Sequence, residues 1–339
     1  MNKILLKNIA LFSSLFLTFN LIAKERKLDM LVFQAKKALI QGESQLAKKL
    51  ISNEKKPSYN LLKLKILYYL ERDNIDKAER SLNEFELQYF NVADTYAFTS
   101  EVWRSIGHKV SIFSKSYYYK KAVKAKITAG NKAPNDPKYL TMKASALGQS
   151  SQYGGNSSLQ EQLAQKIKAL DKKWGLIAEV NLAQNEDNLE QASKLAIQAT
   201  KLFPQDFDVL NRTAKLFWTR SNYPSAQHYF YQACTSKSGD QWHSKINWIN
   251  ACSQTAIFAI EKNVNKDKGK KAIINLLREY QLPTNINFEY IKMYFKLSHT
   301  VSDPIIYKVL QNIVEKNSDV RLIKEAKGLL NKMSLNQPR

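Results

Sequence analysis

The sequence predicts an all-α chain: a solenoid of antiparallel helix pairs with a less regular helical C-terminal part. Two observations carry the prediction. Apolar residues recur at helical spacing almost throughout, while alternating runs of the strand type are nearly absent. A period of 34 residues, within the range that marks stacked repeat units, relates Leu176 to Leu210, Ala192 to Ala226 and Ala199 to Ala233. The same offset aligns Ala183 with Phe217 and Ala196 with Phe230.

From the N-terminus, "MNKILLKNIALFSSLFLTFNLIA" carries Lys3 and Lys7, then sixteen uncharged residues from Asn8 to Ala23, before Lys24 and Glu25. A basic head and a short apolar core make residues 1–23 a secretory signal peptide. The run is shorter than the roughly 20 apolar residues of a membrane-spanning helix. Cleavage after Ala23 is expected, giving a periplasmic or secreted protein, with an uncleaved inner-membrane anchor as the alternative. The formal charge of +22 becomes +20 once Lys3 and Lys7 leave. Such a surface favours anionic partners: envelope polymers, acidic lipids or acidic protein surfaces, with nucleic acid disfavoured for an exported chain.

Residues 24–261 hold the repeats. "WGLIAEVNLAQNEDNLEQASKLAIQATKLFP" closes at Pro204, and "VLNRTAKLFWTRSNYPSAQHYFYQA" supplies Leu210, Ala214, Phe217, Ala226, Phe230 and Ala233. Upstream, Leu62, Ile66, Tyr69, Ala78, Leu82 and Phe85 fall at matching offsets, as do Leu31, Ala35, Ala38, Ala47 and Ile51 in a shorter unit. A large residue early in the first helix, small residues where the helices cross, an aromatic in the second helix and a closing proline resemble the tetratricopeptide (TPR) family. The resemblance is strongest over residues 173–238, although Glu179 and Val180 stand where the family has Leu-Gly, and Ser238 where it has proline. Residues 94–238 are also similar to a group of exported bacterial TPR proteins, through a helix ending near Gly107, a basic aromatic helix, "APNDP" and a Gly-Gly. The resemblance implies a helical scaffold in the cell envelope.

Gly154 and Gly155 precede "NSSLQEQLAQKIKAL". A phosphate loop requires G-x-x-x-x-G-K-[ST], or G-x-G-x-x-G between a strand and a helix, and neither is present. The glycines therefore predict a corner between helices, with Ser158 and Glu161 as a capping box. Lys262 to Lys271, "KNVNKDKGKK", predicts a basic loop or hinge. Residues 272–339 predict four amphipathic helices, one started by Asp303 and Pro304.

Little in the sequence points to catalysis. His108, His228, His243 and His299 form no i, i+4 pair, and no converging zinc-ligand pattern exists. There is no G-x-S-x-G elbow. The sequence predicts no enzyme, no cofactor and no metal. Cys234 and Cys252 are not expected to bond. If the chain turns near Ser238 and Gly239, Cys252 lies some nine residues, roughly 13 Å, beyond the partner position, against a Cα limit of about 7 Å.

Two surfaces are candidates. On the concave face of a TPR array, the repeat positions imply Trp174, Ile177, Asn181, Gln184, Asp208, Asn211, Lys215 and Trp218. Asn181, Asn211 and Lys215 resemble part of the carboxylate clamp of peptide-binding TPR proteins, with Ile177 where the clamp has lysine. Second, ten Lys or Arg against Glu101 and Asp136 give residues 101–150 a local net of +8, with Lys115, Lys120, Lys121, Lys124 and Lys126 around Tyr117, Tyr118 and Tyr119. Cations interleaved with aromatics suit an anionic polymer. The expected function is a non-catalytic scaffold or adaptor of the bacterial envelope, binding a protein or peptide in the groove, an acidic one among the candidates. The alternative is a binder of glycan or nucleic acid through the 101–150 face.

Overall fold

The computed structural model describes residues 30–334 except 37, 40–43, 53–57, 237–241, 280–283, 299–302 and 318. The signal-peptide segment, residues 1–23, lies outside the described residues. The chain divides into two compact units, Met1–Phe90 and Asn91–Arg339. In the first, helical residues 30–36 and 38–39 (α1) are followed by α2 (Ser44–Ser52), α3 (Tyr59–Glu71) and α4 (Ile75–Gln88). Ala35, Ala38, Ala47, Ile51, Leu62, Ile66, Ala78, Leu82 and Phe85 are buried, so most of the periodic apolar positions are core positions, while Leu31 and Tyr69 are half-buried.

The second unit contains α5 (Ala93–Lys109), α6 (Ile112–Lys132), α7 (Pro137–Leu147), a 3-10 turn (Ser151–Tyr153), α8 (Ser157–Leu170), α9 (Lys172–Asn185), α10 (Leu189–Leu202), α11 (Phe207–Thr219) and α12 (Tyr223–Thr235). It continues through α13 (Trp242–Glu261), α14 (Lys266–Glu279), α15 (Thr284–Leu297), α16 (Pro304–Lys316) and α17 (Val320–Ser334). No strand occurs among the described residues. Each helix packs on the next, and first helices of successive pairs also touch: α5 with α7, α7 with α9, α11 with α13, α13 with α15. Contacts restricted to neighbouring units are the wiring of a solenoid.

The 34-residue register is visible in three dimensions. Ala192 and Ala226 are fully buried at equivalent helix crossings, as are Ala199 and Ala233 within a few per cent. The turns repeat as well. Asp73, Asp187 and Ser221 adopt left-handed φ of 53°, 58° and 57°, and the next residue, Asn74, Asn188 or Asn222, caps the second helix by accepting from the N–H of Lys77, Gln191 or Ser225. Asp136, Asp171 and Asp206 cap first helices α7, α9 and α11. A side-chain oxygen at this position satisfies amides that the helix leaves unpaired.

At the Gly-Gly corner, Gly154 sits at φ 96°, a region that favours glycine. A Cβ on Gly155 would stand 1.5 Å from the Gln149 carbonyl oxygen. The cap is not the expected Ser158 with Glu161. Asn156 accepts from the Leu159 N–H at 3.1 Å and α8 begins at Ser157, leaving Ser158 exposed in the first turn. Asn156 also donates its own N–H to the Leu147 carbonyl, which fixes the entry angle.

Two further expectations are corrected. The basic loop covers only residues 262–265, because α14 starts at Lys266, with Asn265 accepting from the Lys268 N–H at 3.0 Å. Its charged residues Lys266, Asp267 and Lys271 form an exposed helix face. Gly269 marks close packing rather than a turn, since a Cβ there would lie 2.5 Å from Ala259 Cβ. The C-terminal helices share one core with α13, from Ala256 through Ile273, Phe288, Ile291 and Leu310 to Ala326.

Cys234 and Cys252 are bonded, with Sγ atoms 2.08 Å and Cα atoms 4.8 Å apart. The expected register failed because the first turns of α13 run past the end of α12, so the middle of α13 stands opposite Cys234. The Cys234 carbonyl accepts from Trp248 Nε1 at 2.7 Å and Asn275 Nδ2 at 2.9 Å, tying α12 to α13 and α14.

Candidate functional site

The first helices α9 and α11 meet through side chains, Leu176 and Ile177 in one core with Val209 and Val180 in another with Leu216. A cavity of about 170 Å³ opens there. Its apolar floor comes from Ile177, Val180, Val209 and Leu216, and its polar wall from Asn181, Gln184, Arg212, Lys215 and Thr219. The caps Asp171 and Asp206 position the two helices, and Lys173 Nζ on α9 pairs with the Asp206 carboxylate at 3.0 Å. Asn181 Nδ2 is buried without a hydrogen-bond partner among the described residues.

The electrostatics of this wall extend across the inner surface to α5 and α6. Burial lowers the pKa of the Arg212 guanidinium, opposed by Asp208, Glu101 and Asp206. Lys215, exposed at the rim of the cavity, is lowered by partial desolvation of its ammonium group and then by Arg212 and Arg104, against Glu101 and Asp208. Lys126 is lowered by burial, with Glu101 opposing and Arg104 and Arg212 adding. Glu101 itself pairs with Arg104 at 2.7 Å. Residues more than a hundred positions apart thus share one field, in which Arg104, Lys126, Arg212 and Lys215 face Glu101, Asp206 and Asp208.

Of the expected groove residues, Ile177, Asn181, Gln184 and Lys215 come together. Three do not. Trp174 is half-buried at the start of α9, packed between the Leu140–Ile167 and Leu176–Val209 cores with Lys173 Nζ 4.6 Å above its ring. Asn211 is buried on the flank of α11. Trp218 stands edge-on to Phe230 and Phe258, at 6.2 and 5.8 Å between centroids, and so supports the next repeat.

Arg212 was missed, and helical geometry gives the reason. Leu210, Ala214 and Phe217 are the packed stripe of α11. At 100° per residue, Arg212, Lys215 and Thr219 lie opposite it, whereas Asn211 and Trp218 lie to one side. The face opposite the packed stripe is the signal that would have found Arg212.

The five lysines of α6 do not share one face. Lys120 and Lys124 point outward and are exposed. Lys126 turns into the inner field described above. Lys121 Nζ lies 4.1 Å from the Trp103 ring and 4.7 Å from that of Tyr117, and Lys115 is half-exposed. Tyr118 stacks on Trp103, and Tyr119 packs at Gly107 with its hydroxyl 3.2 Å from His108 Nδ1. Among the described residues no three His, Cys, Asp or Glu side chains are placed to hold a metal, and no helix is long and apolar enough to cross a membrane.

Tandem antiparallel helix pairs at a 34-residue period, with capped turns in register and a groove between first helices, define a TPR-like α-solenoid. No family model and no curated protein matches the chain. Among solved structures it is similar to a tetratricopeptide repeat protein from Parabacteroides merdae, at 12% identity and TM-score 0.42 over 80% of this chain and 99% of that one. It is also similar to the APC/C hetero-tetramer Cut9-Hcn1, at 14% identity and TM-score 0.33 over 88% of this chain and 54% of that one.

Proposed function

We propose that the protein is a non-catalytic scaffold or adaptor of the bacterial cell envelope that holds a segment of a partner protein in the groove between α9 and α11. The observation that carries the reading is the cavity's mixed lining. Ile177, Val180 and Leu216 offer an apolar seat, while Asn181, Arg212 and Lys215 offer donors to an acidic or carbonyl-rich segment. A preformed groove of this kind loses little on ordering, and its positive field speeds encounter with an acidic partner. Export is supported by residues 1–23 and agrees with a disulfide, which persists in oxidising compartments. The test is site-specific photo-cross-linking in intact cells, with the reactive side chain at Gln184 in the groove or at exposed Gln198 on α10. A discrete protein adduct from position 184, absent from 198 and lost with Arg212→Ala and Lys215→Ala, is expected. Equal labelling from both positions, or none from 184, overturns the reading.

A further inference from the structure

The outward side of the α5–α6 corner is unlike the groove. Ile112 and Phe113, consecutive residues at the start of α6, are 75% and 94% exposed. From Phe113 the exposed residues Tyr117, Lys120 and Lys124 follow at i+4, i+7 and i+11, so they form one stripe along the helix. The stripe is apolar at its beginning and cationic further on. From Val102 to Asn135 the chain has eight Lys or Arg and no Asp or Glu. The acids bordering that run are engaged elsewhere: Glu101 pairs with Arg104, and Asp136 caps α7.

We propose that this stripe docks the protein on the surface of an anionic bilayer, with Ile112 and Phe113 entering the headgroup region and Lys120 and Lys124 lying over acidic lipid. Exposed aromatic and aliphatic side chains beside lysines match the interface, where apolar tips leave water and cations meet the negative surface. A soluble polyanion would use the lysines and leave Ile112 and Phe113 in water, so the apolar pair favours a bilayer over a polymer. Two apolar side chains and a few lysines give weak, reversible attachment, of the kind that concentrates a scaffold at a surface without fixing it there. The inference is independent of the groove.

The test is sedimentation of the full chain with vesicles of equal parts phosphatidylglycerol and phosphatidylcholine, against pure phosphatidylcholine. Ile112→Ser with Phe113→Ser should lower the partition coefficient by about tenfold or more, and Lys120→Glu with Lys124→Glu by a similar factor. The apolar N-terminal stretch is common to all variants, so differences between them read the stripe alone. All four positions are exposed, and circular dichroism should show unchanged helix content. Equal sedimentation by the wild type and the double serine variant overturns the proposal. So does binding to soluble dextran sulfate that matches vesicle binding and ignores the serine substitutions, since that would make the face a polymer site.

Discussion

Cys234 and Cys252, eighteen residues apart in sequence, are bonded across α12 and α13, with both residues fully buried. Closing a loop of this length in the unfolded chain is worth about 3 kcal/mol in the chain-entropy account. Cys234→Ala with Cys252→Ala should therefore lower the urea midpoint by an amount equivalent to about 2 to 4 kcal/mol. The loss should fall on α12 to α14, which the Cys234 carbonyl joins through Trp248 and Asn275. Hydrogen exchange should localise it there. Because the sulfurs are buried, reductant should act on the wild type only as fast as this region opens.

The bond also marks the boundary of what the sequence reveals. Ala192 and Ala226 identify the repeat because a crossing of two helices admits only small side chains, and that constraint is written in residue type. Asn188 and Asn222 carry similar local information, since each cap serves its own turn. The pairing of Cys234 with Cys252 depends instead on how far α13 overshoots α12, a tertiary offset with no local signature. The groove follows the same division. Ile177, Asn181, Gln184 and Lys215 follow from repeat position. Trp218 is exposed and turns one edge toward Phe258 of the next repeat, so repeat position gave its exposure but not its place beside the cavity rather than in its lining. The neighbours of Arg212 include Glu101, brought near by the curvature of several repeats and by nothing in the intervening sequence.

Tyr139 on α7 gives a pH-dependent signature of the inner packing. Burial, then the charge of Asp94, then Asp136 and a hydrogen bond to Asp94, push its pKa up to about 12 from 10.0. The folded state keeps a proton that the unfolded chain sheds. The contribution is therefore fully present below pH 10 and is lost as pH rises toward 12. Tyr139→Phe should cost about 1 kcal/mol at neutral pH through the lost hydrogen bond. The gap between wild type and variant should close as pH rises through that window. Lys126 and Lys215, with lowered pKa values, act with the opposite sign just below the ordinary lysine range, so the comparison with the variant is needed to isolate the tyrosine. Urea unfolding across alkaline pH measures it, and a gap that stays constant would refute the assignment.

Two helical glycines in the C-terminal part should respond in opposite directions to the same substitution. Gly269 on α14 lies where a Cβ would come within 2.5 Å of Ala259 Cβ and 2.9 Å of Leu297 Cδ1, both in the shared core. The Leu297 methyl can turn aside, but Ala259 Cβ moves only with its backbone, so Gly269→Ala should overpack the contact and cost about 1 to 3 kcal/mol. Gly328 on α17 is exposed and has nothing within 4 Å of the position a Cβ would take. Gly328→Ala removes only the excess freedom of the unfolded chain, and should stabilise by about 0.4 to 1 kcal/mol. Chemical denaturation of the two variants side by side decides the matter. If Gly269→Ala were neutral, α14 would not pack against α13 and α15 as closely as these distances require.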